Sequence, residues 1–231
     1  MTRAARFAFQ VVLTLIVGLT IYAALHHLGR GESGDSVAPL ELQLVRLRDE
    51  GLHHRIDVYY PQVGLPFDKA IKAEVEDEAE ALKEFAEKYP PQSWGATGPY
   101  SYTGGLRWAS LDSDIVSLKV ALSLFTGGVH GTSYVVGLNY DRVAGREVTL
   151  DDALGLIGLS LPQVSTGTLL QLSQNKSVSL LFPEGAAADP NNYRTFTISD
   201  DSVTFYLAEY QVAPYAAGIL EVSFPRLAPR D

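Results

Sequence analysis

The side chains most able to do chemistry are the five histidines, at positions 26, 27, 53, 54 and 130. His53 and His54 are neighbours on a predicted strand, so they point to opposite faces and cannot chelate one ion from two points. His26 and His27 follow an apolar run, where polar ends are ordinary. His130 stands among three glycines in GGVHG, a hairpin connection, where an imidazole could serve as a ligand or a general base. No second His and no Cys lies near it, so the spacing does not predict a metal centre. The acid pairs Asp112/Asp114 and Asp151/Asp152 would support glycosidase chemistry only if folding brought two carboxylates to about 5–9 Å. Such pairs more commonly sit in turns and helix caps. The glycine pairs Gly104-Gly105 and Gly127-Gly128 match neither phosphate-binding pattern and lie between strands. There is no GxSxG elbow and no HExxH helix. No catalytic residue, metal site or cofactor is predicted, and a binding module is favoured over an enzyme.

Aromatic side chains are the better ligand candidates. The segment Phe205 to Pro225, FYLAEYQVAPYAAGILEVSFP, joins an aromatic strand to a Pro-Tyr turn and then to an alternating strand. Tyr210 and Tyr215 offer large faces with a hydroxyl to satisfy, and Pro214 fixes a bend between them. Trp94, in the loop-like stretch PPQSWGATGPYSY, and Trp108 could line a groove for glycan strands.

The elements that must hold these residues form an α+β domain, an antiparallel sheet with helices packed on it. Strands are predicted over Leu52–Tyr60, Gly104–Ala109, Asp114–Phe125, Thr132–Tyr140 and Arg146–Leu150. Three more fall at Tyr193–Ile198, Ser202–Leu207 and Gly218–Pro225. The clearest helix is Phe67–Tyr89, with Phe67, Ile71, Val75, Leu82, Phe85 and Tyr89 spaced for one face. Its acidic residues Glu74, Glu76, Asp77, Glu80, Glu84 and Glu87 read as a solvated face. Of these, Glu76, Glu80, Glu84 and Glu87 are the candidate contacts for a basic partner. Thr149 followed by Asp151 and Asp152 starts a helix that reaches about Leu156, and Pro162–Ser173 forms another. Asn139 and Asp141 are expected to hold a turn through their own backbone.

Phe7–Leu25 contains 19 uncharged positions, about 28 Å as a helix and close to a bilayer's hydrocarbon thickness. Arg3 and Arg6 precede it, which keeps the N-terminus cytoplasmic. Residues 1–28 are therefore expected to be a short cytoplasmic stub and an uncleaved signal anchor in the inner (cytoplasmic) membrane. Residues 29–39 form a Gly/Ser-rich tether, and 40–231 an ectodomain in the periplasm or other extracytoplasmic space. With no cysteine the chain is not a lipoprotein, and its ectodomain is large enough to bury a core without disulfides. Setting aside Arg3, Arg6 and Arg30, the exported part carries 15 positive and 27 negative charges, a net of −12. That surface repels nucleic acid and anionic headgroups and favours a cationic partner.

Residues 127–154, GGVHGTSYVVGLNYDRVAGREVTLDDAL, together with YQVAPYAAGILEVSFP at 210–225, resemble the exported domain of RsiV-type anti-sigma factors. The same module is similar to the non-catalytic N-terminal region of the peptidoglycan deacetylase PdaC. The resemblance spans about residues 52–225. It implies an ectodomain that binds lysozyme, and it places His130, Tyr210 and Tyr215 in its shared motifs. Only about six residues precede the apolar run, so no sigma-binding activity is expected, and no deacetylase domain follows. The expected function is capture of a cationic protein such as lysozyme, as sensor or inhibitor. Recognition of peptidoglycan glycan strands is the alternative, and a hydrolase is less favoured.

Overall fold

The computed structural model describes residues 40–91, 98–111, 114–175, 178 and 182–227. The expected anchor and tether, Trp94 and Asp112 lie outside these residues.

Strands β1 (Gln43–Glu50) and β2 (His54–Gln62) form a hairpin, and helix α1 (Phe67–Lys88) follows. Then come β3 (Tyr100–Ser110), β4 (Ile115–Phe125), β5 (Thr132–Asp141) and the short β6 (Arg146–Glu147). These six strands make one sheet in the order β1-β2-β3-β4-β5-β6. Every pairing is antiparallel except β2 with β3, which is parallel. A helix between two neighbouring strands returns the chain to its starting end, so this sheet is mixed rather than purely antiparallel. Helices α2 (Leu150–Ile157) and α3 (Leu161–Gln174) lead into a second, three-stranded antiparallel sheet. Its strands are β7 (Phe196–Ile198), β8 (Ser202–Leu207) and β9 (Leu220–Pro225), in that order.

Two cores result, one on each side of the large sheet. Alternation on β4 sends Val116, Leu118, Val120, Leu122 and Leu124 toward α1, where they pack with Ile56, Val58, Ile71, Val75 and Leu82. The opposite face of β4 sends Ser117 and Lys119 toward the small sheet. There Phe196, Phe205, Val222 and Phe224 pack with Ala153, Ile157, Val164 and Leu172 of the two short helices.

Most of the predicted elements are present, with shifted ends. β3 begins four residues before the predicted strand, and β1 was not predicted at all. Half-buried Val45, Leu47 and Asp49 alternate with exposed Arg46, Arg48 and Glu50, but only two of the three inward positions are apolar, too short a run to mark a strand. Helix α2 starts as its sequence suggests. Thr149 Oγ1 accepts from the Asp152 N–H and the Asp152 carboxylate accepts from the Thr149 N–H, a capping box. Arg146 donates two hydrogen bonds to the same carboxylate, at 2.6 and 2.8 Å. Together with Thr149 it holds Asp152 well below the usual carboxylate range. A group with a depressed pKa stabilises the fold above its unfolded value and loses that contribution as the pH falls. Asp152→Ala is therefore expected to cost about 1–2 kcal/mol at pH 7 in urea unfolding, and distinctly less below pH ~3.

Candidate functional site

The loop joining β4 to β5, residues 126–131, turns through Gly127 and Gly128, both with positive φ. It carries Val129 outward, 99% exposed. The neighbouring His130 is exposed as well. Its Nδ1 lies 3.0 Å from the Gly131 carbonyl oxygen, an acceptor that the Nδ1–H tautomer would satisfy. The imidazole stacks on the Tyr215 ring with centroids 3.5 Å apart and planes 16° from parallel. Tyr215 in turn leans on Tyr210 at 5.7 Å. Three of the predicted ligand residues, distant in sequence, thus form one continuous aromatic platform.

Residues 208–218 bring the two tyrosines there. Val212 and Ala213 are buried in the second core and fix the base of this loop. Gln211 ties it sideways, donating to the carbonyls of Gly185 and Asn192 and accepting from the Ala208 N–H. The approach is so close that a Cβ on Gly185 would lie 1.7 Å from the Gln211 carbonyl oxygen. With its base fixed, the loop holds Tyr210 at φ 64°, the sole non-glycine residue with positive φ among the described residues. A bulky residue in that region costs on the order of 1–3 kcal/mol, and such strain concentrates at binding sites. Tyr210 remains 47% exposed.

Glu209 sits behind the platform. Its carboxylate accepts from the Ser133 N–H at 3.2 Å. Burial raises its pKa, and Ser133 and the nearby His130 act in the opposite direction. Sequence reasoning missed Glu209 and Gln211. Both sit in the stretch that flagged the tyrosines, but nothing local marks which of its polar residues turn inward.

The other predicted contacts lie elsewhere. Trp108 is half-exposed on β3, beside a bulge and opposite Lys119, well along the strands from the loop at 126–131. Helix α1 covers the opposite face of the large sheet. Its Glu76 pairs with Lys72 and its Glu80 with Lys83, which leaves Glu84 and Glu87 as exposed acids toward its C-terminal end. The expectation that Glu74 belongs to a solvated face is corrected: Glu74 and Glu78 are both buried on the core side. His53 and His54 are half-buried, and His54 Nε2 lies 3.4 Å from Asp49. Asn139 does not hold a turn by bonding its own backbone; its side chain crosses to β7, whereas Asp141 accepts from Val143 and Ala144 as expected.

The platform's tyrosine loop falls within a recognisable segment. Residues 164–226 match the family model DUF3298, a protein family of unknown function. The match covers most of α3 and all of the small sheet. No catalytic family is identified with it. Esterase Rv3036c of Mycobacterium tuberculosis is 23% identical over 190 residues, 80% of this chain and 81% of that protein. Immunogenic protein MPT64 of the same organism is 28% identical over 102 residues, and the chain spans 45% of its length. The crystal structure of a DUF3298 family member from Bacteroides fragilis shares the fold, with a TM-score of 0.53 at 18% identity. It covers 80% of this chain and 90% of the other.

Proposed function

We propose that this is a membrane-anchored extracytoplasmic binding protein of the cell envelope, whose platform at Val129, His130, Tyr210 and Tyr215 captures a cationic protein of the lysozyme type. The observation that carries the reading is a pair of exposed tips, Val129 and Tyr210, the second on a loop fixed from below through Gln211. Rigid aromatics that project from a preorganised base make good interface anchors, because little freedom is lost when they bind. The net charge of −12 on the exported part would steer a basic partner, and the likeness to RsiV-type ectodomains points to the same class of ligand. The acids on α1 contribute through this long-range field rather than by contact, since they lie across the sheet from the platform.

The test is titration calorimetry of the full chain, in mild detergent, against a c-type lysozyme at low and moderate salt. Binding that weakens with salt is expected, and Tyr215→Ala should weaken it by roughly thirtyfold, as for an anchor worth about 2 kcal/mol. No heat, or equal affinity at both salt concentrations, would sink the proposal. The near-parallel His130–Tyr215 stack favours a second reading, since a flat ring face also suits a sugar. Sedimentation with insoluble peptidoglycan, abolished by the same substitution, would decide for that alternative.

A further inference from the structure

Glu74 and Glu78 stand one turn apart on the core side of α1, 7% and 4% exposed. Oε1 of each carboxyl is buried without a hydrogen-bond partner among the described residues. Tyr102 on β3 and Tyr134 on β5 lie within electrostatic reach of both carboxyls, and their hydroxyls share a 3.3 Å hydrogen bond. On β2 the buried titratable group is Tyr60, whose own charged neighbours are Glu76 and Lys72 on α1. The charges acting on Glu74 are Glu78 and Asp77, both acidic. Nothing in this arrangement compensates an ionised carboxylate, and a buried, unpaired one costs several kcal/mol. A helix of otherwise ordinary core residues thus carries two groups that tolerate burial only when neutral.

We propose that Glu74 and Glu78 form a proton-operated latch that keeps α1 seated on the large sheet. While both carboxyls hold their protons they are neutral, and the helix packs on Ile56, Val58 and Leu122 as an apolar face would. Loss of a proton leaves a charge in the core beside a second acid, and the helix lifts to let water reach it. Burial pushes Glu78 up to about 7 and Glu74 up to about 8, so the latch is fully seated below about pH 4.5 and loosens as the pH climbs toward 8. Tyr102 and Tyr134, raised further still by their own burial, stay neutral across that range and supply no charge.

The test is hydrogen exchange by mass spectrometry on the full chain at pH 6 and pH 8.5, corrected for intrinsic exchange rates. Protection over Phe67–Lys88 is expected to fall at least tenfold between the two, while Ile115–Phe125 changes much less. The double variant Glu74→Gln/Glu78→Gln should keep its helix protection at both pH values. Should that variant fail to fold, Glu78→Gln alone is expected to make the fall smaller than in the wild type, since only Glu74 is left to ionise. An equal fall in wild type and variant would overturn the latch. Restoration of helix protection at pH 8.5 by millimolar calcium, sodium or potassium chloride would also overturn it, in favour of a bound cation.

Discussion

Glu74→Gln is expected to stabilise the folded protein by roughly 2–3 kcal/mol at pH 8 and to leave it nearly unchanged at pH 5. Burial, followed by the acids Glu78 and Asp77, raises Glu74 from an ordinary value of 4.5 to about 8. A carboxyl with a raised pKa keeps its proton in the folded state while the unfolded chain gives it up. Its full stabilising contribution is present below about pH 4.5 and is lost as the pH climbs toward 8, at about 1.4 kcal/mol per pH unit. Glutamine cannot ionise, so the variant escapes that loss, although its amide N–H groups enter the same dry site and offset part of the gain. Glu78→Gln should behave alike over a narrower window, since Glu78 rises only to about 7. Denaturant unfolding of both variants at the two pH values reads the effect directly. No gain at either pH value, or destabilisation at pH 8, would mean that the carboxylates are ionised and compensated in the fold.

The sequence shows where this pair belongs but not what it does there. The apolar stripe of α1 runs Phe67, Ile71, Val75, Leu82, and the place between Val75 and Leu82 is shared by the small Ala79 and by Glu78. That interruption of the periodicity is the signal. It is easily overlooked in a segment with so many acids, where a solvated face is the ordinary explanation. Predicted strands and helices are largely present, because alternation on β4 and β5 and the box at Thr149 are local properties. The parallel pairing of β2 with β3, the split into two sheets and the strand β1 depend on which elements meet, and no local pattern specifies that. The platform was legible in part. His130, Tyr210 and Tyr215 stand out by residue type and turn context, yet their stacking, and Glu209 behind them, follow from the docking of two loops about 80 residues apart.

Asn139→Ala is expected to cost about 2–4 kcal/mol, a large effect for a residue that touches no ligand. Asn139 is 8% exposed and Ser117 fully buried, and the two form a bridge between the sheets. Ser117 Oγ donates to Asn139 Oδ1 at 2.6 Å and accepts from the Ile198 N–H at 2.8 Å. Asn139 Nδ2 donates to the Phe196 carbonyl at 2.8 Å. Alanine would leave that carbonyl and the serine O–H proton dry and unpaired, and an unmet buried group costs more than a formed bond contributes. Ser117→Ala should cost somewhat less, and the double variant less than the two together, since both belong to one network. Gly137 tests the same seam by shape: a Cβ there would lie 2.0 Å from the Phe196 carbonyl oxygen, so Gly137→Ala must displace β7. About 3 kcal/mol is expected for it in urea unfolding. β7 and the tyrosine loop belong to the same small unit, so loosening this seam should also weaken the proposed capture of a partner at the platform before the protein unfolds. If Asn139→Ala costs under about 0.5 kcal/mol, or the Ser117 and Asn139 effects simply add, the two sheets are not joined through this bridge.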